Sequence, residues 1–293
     1  MASLSVCIFA HNEARLLPRC IRALGAAAPD GRFKAHILVN GATDDTLMVA
    51  KTLAAVDTRL VIHELPIADK ANAWNEYVHR IADASAVHIF LDGDIAPSPG
   101  AFDALASALA SQPEALGAAA LPASGRSRRA WATRLYLNRY LSGNLYALSR
   151  SAIDSFRTHR IRLPFGAKGE DGLITYLLLT DLKGGADDSH ANRIVVARDA
   201  TFEFDSLSAT WRDLKIYHRR LKRYSERYFQ KEVLYRLLKR EGVVAMPDNI
   251  YDIYTPEALE ALRPRLDPVN FIYDWATLRW LRQRHPLAMT ARA

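Results

Sequence analysis

The chain has 293 residues, 49% of them hydrophobic and 24% charged, which is enough to bury a core without disulfides and excludes an intrinsically disordered chain. The formal charge of +7, from 39 Lys and Arg against 32 Asp and Glu, implies an anionic partner: a phosphorylated small molecule, a membrane surface or a nucleic acid. The longest apolar stretches, at 118–123 and 173–180, fall well short of the ~20 residues of a membrane span.

In chain order, LSVCIF (4–9), HILV (36–39), LVIHEL (60–65) and VHIFL (87–91) are short, β-branched and aromatic, and predict strands. The segments between them carry helical spacing. Ser98 and Pro99 predict an N-cap and a first helical position, with Phe102, Leu105 and Leu109 lining one face of the helix that follows. Apolar strands joined by crossovers of ~20 residues predict a largely parallel sheet covered on both faces. From Ala209 to about Arg240 helical spacing takes over, in Trp211, Leu214, Tyr217, Leu221, Tyr224 and Tyr228. Pro247, Pro256, Pro264 and Pro268 then cut the tail into short helical pieces, and Arg279–Arg284 is basic. The expected organisation is an α/β domain over 1–205 and a helical extension over 206–293 packed on it. The opening MASLSVCIFAHNEARLL lacks a basic n-region, and Cys7 and Cys20 form neither a disulfide framework nor a metal spacing. A cytoplasmic setting is therefore expected, with peripheral contact to the inner face of the membrane left open.

The sharpest chemical signal is Asp92-Gly93-Asp94, directly after the strand VHIFL. Two carboxylates one residue apart at a strand end can share a hard cation, Mn²⁺ or Mg²⁺, with a polyphosphate. Alone, the motif reads more simply as a surface turn. Ala10-His11-Asn12-Glu13 follows the first strand, Asn40-Gly41-Ala42-Thr43-Asp44 follows the second, and Lys70 opens a helix before the fourth. His11 is an aromatic able to stack on a nucleobase or a structural histidine. Glu13 and Asn40 supply donors and acceptors for a base edge or ribose, while Asp44 reads more simply as a helix cap. Lys70 either turns its ammonium to phosphate beside helical N–H groups or is a solvated surface lysine. Glu170-Asp171 precede the apolar LITYLLL, where the helix dipole alone favours carboxylates. Arg220 and Arg223, three apart on the basic helix, can fork onto phosphate together. The other charges of that helix read as a solvated face, or as one lying on anionic lipid.

In this order the segments resemble the inverting glycosyltransferases of family two, which have the GT-A fold and read P-x-[YH]-N-E, V-[DN]-[DN]-G-S-T-D-x-T, G-K-x-x-A-x-N and D-x-D. SGNLYALSRSAI (142–153) is similar to their acceptor-side strand, GEDG (169–172) to their E-D motif, and Arg220-Leu221-Lys222-Arg223-Tyr224 to their [QR]-x-x-R-W signature. The resemblance spans roughly 5–225. It implies a GT-A nucleotide-sugar-binding domain, a mostly parallel sheet flanked by helices, with a C-terminal helical extension. It implies inverting transfer of a sugar from a nucleotide-diphosphate donor, a UDP-sugar first, to a hydroxyl of a glycan, a lipid-linked or a small-molecule acceptor. Donor binding is implied for Ala10, His11, Asn12, Glu13, Asn40, Lys70, Asp92, Gly93, Arg220 and Arg223. Asp92 and Asp94 would serve the metal, Mn²⁺ or Mg²⁺, with Asp92 on ribose or a metal-bound water. Asp171 would be the general base, with Glu170 beside it in the catalytic pair. His11, Asn40 and Tyr224 stand where the family more often has tyrosine, aspartate and tryptophan, and Asn40 loosens the preference for uracil. His190 and His218 are candidates for a third metal ligand as well as ordinary surface histidines. The basic, aromatic stretch 124–145 is expected on the acceptor side.

Other readings make different demands. A sugar nucleotidyltransferase should open with a glycine-rich basic loop after the first strand, which FAHNEA is not, and a dehydrogenase needs a G-x-G-x-x-G that is absent. A basic membrane- or nucleic-acid-binding protein with an inactive GT-A domain is the alternative from another class. Intact Asp92, Asp94, Glu170 and Asp171 argue against it, and no nucleic-acid partner is expected.

Overall fold

The computed structural model describes residues 3–185, 190–205 and 211–284, except the side chains of 211–213. They divide into two compact units, one of 1–162, 170–183 and 187–206, the other of 163–169, 184–186 and 207–293.

The first unit is built on one eight-stranded sheet in the order β3-β2-β1-β4-β7-β6-β8-β5. The strands are β1 (Leu4–Ala10), β2 (Phe33–Asn40), β3 (Leu60–Leu65), β4 (Val87–Asp92), β5 (Ile95–Pro97), β6 (Gly117–Pro122), β7 (Leu145–Ser149) and β8 (Ile194–Phe204). Helices α1 (Leu17–Ala27), α2 (Thr46–Ala54), α3 (Lys70–Glu76), α4 (Ala101–Ser111), α5 (Arg128–Asn138), α6 (Arg150–Thr158) and α7 (Glu170–Leu179) connect them. Every residue of β1 is buried, the mark of a central strand covered on both faces, which explains its unbroken apolar run. The pairings of β1 with β2 and β4, β2 with β3, and β6 with β8 are parallel. Those of β7 with β4 and β6, and of β5 with β8, are antiparallel, so the sheet is mixed rather than uniformly parallel. Phe90 of β4 stacks on Tyr146 of β7 at 4.9 Å between centroids, and Trp74 meets Phe156 edge-on at 5.0 Å, closing one face of the core.

Two local readings change. Ser98 does not cap α4: the helix begins at Ala101 after Gly100 in the left-handed region (φ +71°). The Ser98 hydroxyl instead accepts from Thr201 at 2.7 Å, because β8 passes beside it. Phe102, Leu105 and Leu109 are buried as the spacing predicts. Helix α3 is capped by Asp69, whose carboxylate accepts from the Asn72 N–H at 2.7 Å, and it runs on as a π-helical turn over Tyr77–Ile81.

The second unit holds α8 (Trp211–Glu241), α9 (Pro256–Ala261) and α10 (Pro268–Arg284). Ser225 bonds Thr277 at 2.9 Å and His218 bonds the Tyr273 hydroxyl at 2.8 Å, tying α8 to α10. Asp274, fully buried, is gripped by both forks of Arg265 at 2.8 Å each. At 17 residues α10 is longer than the proline spacing suggests, since Pro268 stands at its first position, where a proline is tolerated. No described helix is long and apolar enough to cross a membrane.

Candidate functional site

Parallel pairing brings the carboxyl ends of β1, β2 and β4 to one edge of the sheet, where ligands bind in open α/β folds. Phe9 stands level with Asp92, and Ala10 with Val39, so the segments after Ala10, at Asn40 and at Asp92 are neighbours. The loop after β1 is stitched to the loop after β2. His11 Nδ1 lies 2.8 Å from the Asn40 carbonyl oxygen, Asn12 Oδ1 accepts from the Thr43 N–H at 2.8 Å, and the Glu13 N–H donates to Thr46 Oγ1 at 2.7 Å. Asn12 sits in the left-handed region (φ +58°), which asparagine tolerates. Asp44 accepts from the Thr46 N–H at 3.0 Å and from the Ala14 N–H at 3.3 Å, so it braces both loops, but the N-cap position of α2 falls to Asp45 and not to Asp44 as the sequence suggests. The Asn40 side chain is 4% exposed, and its Oδ1 meets no hydrogen-bond partner among the described residues.

Around the D-x-D turn the approach is closer still. Gly93 N–H donates to the Phe9 carbonyl at 2.8 Å, and a Cβ on Gly93 would stand 3.0 Å from that oxygen. Glycine therefore lets the turn press against β1 and carry Asp94 past it. Asp92 N–H donates to the Asn144 carbonyl at 3.1 Å, in the loop that leads into β7. Lys70, at the start of α3, reaches Asp92 at 2.5 Å, Glu170 at 2.7 Å and the Gly143 carbonyl at 3.1 Å. These three contacts match the three N–H donors of an ammonium. In this state Lys70 is the counterion of two site carboxylates and is not a solvated surface lysine. Burial works against its charge, but Asp92 and Glu170 outweigh that and hold its pKa above the usual lysine value. Asp171 follows Glu170 at the α7 N-terminus, and a Cβ on Gly143 would lie 2.9 Å from its carboxyl carbon.

Two carboxyls of this edge are pushed towards neutrality. Burial, then the charges of Asp94, Asp92 and Asp44, raise Glu13 to about 8. Burial, opposed by Lys70 and reinforced by Asp94, raises Asp92 to about 7. The edge thus holds more negative charge than its own side chains compensate, and the donors are hard oxygens, so the residues fit a divalent cation. Among the described residues no group of three or more His, Cys, Asp or Glu could hold a metal. A cation at Asp92 and Asp94 would complete its shell with phosphate oxygens and water, as Mg²⁺ commonly does.

The remaining sequence candidates fall elsewhere. His190 lies 3.3 Å from Asp181 and its N–H donates to the Leu179 carbonyl. That is the far end of α7, about 13 Å along the helix from Glu170. His218, with Tyr273, belongs to the second unit, as do Arg220, half-buried, and Arg223, exposed, both on α8. Gly143 and Asn144 entered the sequence reading only within the segments 124–145 and 142–153, with no individual role. Their contacts to Lys70, Asp92 and Asp171 join residues 28 to 73 apart, so local sequence does not show them.

Comparison with known proteins places this edge in context. The sequence profile of glycosyl transferase family 2 matches residues 5–163. A search of curated proteins finds no match. Among solved structures, the mannosyltransferase PcManGT from Pyrobaculum calidifontis, in complex with GDP-Man and Mn²⁺, superposes with a TM-score of 0.57 at 15% identity, over 99% of this chain and 74% of that one. Glucosyl-3-phosphoglycerate synthase from Mycobacterium tuberculosis, with Mn²⁺, UDP and glucosyl-3-phosphoglycerate, gives 0.51 at 20% identity over 77% and 80%. S. aureus TarS 1–349 with UDP-GlcNAc gives 0.51 at 12% over 97% and 92%. The shared architecture is the GT-A fold, and the motifs after β1, β2 and β4 lie inside the matched family region.

Proposed function

Since the chain belongs to glycosyl transferase family 2, we propose that it moves a sugar, with inversion at the anomeric carbon, from a nucleoside-diphosphate donor to an acceptor hydroxyl. The observation that carries this reading is the single sheet edge that brings Asp92-Gly93-Asp94 beside the β1 and β2 loops, with Asp171 against Gly143. UDP- and GDP-sugars are both compatible with the neighbours' complexes, and Asn40 in place of the family's aspartate keeps the base open. In this reading the buried Asn40 amide and Glu13 read the base or ribose, and His11, oriented by the Asn40 carbonyl, stacks on the base. Asp94 would ligate Mn²⁺ or Mg²⁺, and Asp92 would hold ribose or a water of the cation's shell. Bound there, the cation supplies charge stabilisation to the departing diphosphate. Arg220 and Arg223 are assigned to donor phosphate by resemblance alone.

Lys70 opposes the neutralising effect of burial on Asp92 and, through its contacts to Asp92 and Glu170, holds both carboxyls in place between donor and acceptor sides. Asp171 accepts the acceptor hydroxyl's proton as that oxygen attacks the anomeric carbon opposite the nucleotide. The position at a helix N-terminus favours its anionic form, and general-base assistance is worth ~10²–10⁴-fold. A single displacement needs no nucleophilic carboxylate, in contrast to retaining hydrolases. The test is Asp171→Asn with the best donor from a nucleotide-sugar screen. Donor binding should persist while transfer falls at least about a hundredfold, and wild-type product should show the inverted anomer by NMR. Near-normal turnover of Asp171→Asn would remove it as base, and a retained anomer would remove the single displacement.

A further inference from the structure

Outside the candidate site, the least ordinary surface of the molecule lies on α10 and the turn before it. Five large apolar side chains stand out within ten residues: Leu266, Val269, Phe271, Ile272 and Trp275, from 43% exposed for Phe271 to 91% for Leu266. The inner face of the helix is conventionally packed through Asp274, Leu278 and Leu281, so the outward residues are surplus to the fold of this unit. Scattered surface apolar residues need no explanation, but a contiguous patch of this kind marks an interaction surface. Beside it runs an open groove of about 650 Å³, whose apolar walls are Leu262, Pro264, Trp275 and Leu278.

The polar groups around this patch are mainly cations. Arg263, Arg279 and Arg282 line the groove and Arg284 follows at the helix end. Arg279 lies 5.7 Å from the Trp275 ring centre and Arg284 4.7 Å from that of Trp280. Of the acids in 262–284, Asp274 is buried against Arg265, and Asp267 accepts from Asn270. Neither Glu257 nor Glu260 of α9 is among the groove's lining residues. The face therefore presents protruding Trp, Phe, Ile, Val and Leu beside a guanidinium rim.

We propose that this face of α10 docks on an anionic lipid bilayer, the apolar side chains entering the headgroup–acyl boundary while the arginines meet lipid phosphates. Helices that lie in the interface combine these two features, and Trp and Arg both suit its depth. A second copy of the chain is the poorer occupant. A two-fold contact would set Arg263, Arg279, Arg282 and Arg284 of both copies against one another with Asp267 as the one exposed acid within 262–284 to pair them. The proposal stands apart from the proposed transferase chemistry and differs in place from the basic helix α8, whose composition first suggested lipid.

The experiment is co-sedimentation of the full chain with vesicles of phosphatidylcholine alone and with equal parts phosphatidylglycerol, across a salt series. The chain should partition onto the mixed vesicles, far less onto phosphatidylcholine, and less as salt rises. Ile272→Asp with Trp275→Asp should weaken partitioning at least about tenfold, since burial of either apolar side chain accounts for that much. Arg279→Gln and Arg282→Gln, which leave the apolar face intact, should each cost about fivefold and flatten the salt dependence. All variants should keep the parent's melting temperature and its shift with nucleoside diphosphate and Mn²⁺. Loss of that shift in the parent would count against the transferase reading and leave this one standing. Parent protein that ignores anionic vesicles overturns the proposal, as does a double variant that binds them like the parent. A concentration-dependent dimer that Ile272→Asp abolishes, without vesicle binding, would make the face an interface between copies instead.

Discussion

Lys70→Met removes the ammonium that sits between Asp92 and Glu170 while keeping the length and apolar stem of the side chain. Two carboxylates then lose their counterion, at contacts of 2.5 and 2.7 Å. Deleting one partner of a fully buried ion pair costs ~3–5 kcal/mol. Here Lys70 and Asp92 retain 26% and 28% side-chain exposure and Glu170 only 9%, so screening reduces the expected loss to about 2–3 kcal/mol at pH 7. For a unit of this size that is a fall of about 4–12 °C in Tm. The loss has a pH signature. Asp92, raised to about 7, gains its proton as pH falls through that value and then needs no cation, so the deficit of the variant should shrink as pH falls from about 8 to 5. Urea unfolding of both proteins at several pH values measures this. A deficit that stays constant from pH 7 to pH 4.5 would refute the electrostatic role and leave Lys70 as a packing residue.

Three further outcomes follow from the geometry. Gly143→Ala puts a Cβ 2.9 Å from the Asp171 carboxyl carbon and forces that side chain aside, so turnover should fall ~10²-fold with nucleotide affinity unchanged; equal kcat would show that Asp171 has room to spare. His36 and His88 are buried and held neutral, each lowered to about 4 chiefly by burial, so the unfolded chain takes up their protons first as pH falls. Their contribution to stability should therefore be lost between about pH 6.5 and 4, and His88→Gln should remove about half of it, read as the parent–variant difference in urea titrations, a difference that stays constant across that range ruling out His88 as a source. The raised carboxyls act in the opposite sense. With Glu13 at about 8 and Asp92 at about 7, their share of the stability of metal-free protein should be lost as pH rises from about 4.5 to 8, and saturating Mn²⁺ should reverse the trend in thermal melts.

How much of this was legible in the sequence depends on how far apart the interacting residues lie. The buried strands β1, β2, β3 and β4 announce themselves because a strand covered on both faces must be apolar throughout, and the motifs that follow them share an edge once the pairing is parallel. The antiparallel insertion of β7 between β4 and β6 has no such local mark, since it depends on pairing between Leu91 and Leu145. The same holds at the level of side chains. Ser98 looked like a cap until β8 supplied Thr201 as its partner, and Gly100 took over the helix start. Lys70 was visible as a cation at a helix start, but its two carboxylate partners come from β4 and α7. Gly143 matters only because Asp171 packs over it. Chemistry carried on consecutive residues was readable, and chemistry assembled across the sheet was not.

The central claim is that the carboxylates at the edge of β1, β2 and β4 hold a cation that in turn holds the donor's diphosphate. Calorimetric titration of UDP and GDP into wild-type protein and Asp94→Ala, each with Mn²⁺ and with EDTA, addresses it most directly. The account predicts binding of at least one nucleotide by wild type with Mn²⁺ only, and none by Asp94→Ala under either condition. Tight nucleotide binding in EDTA, or undiminished Mn²⁺-dependent binding by Asp94→Ala, would contradict it.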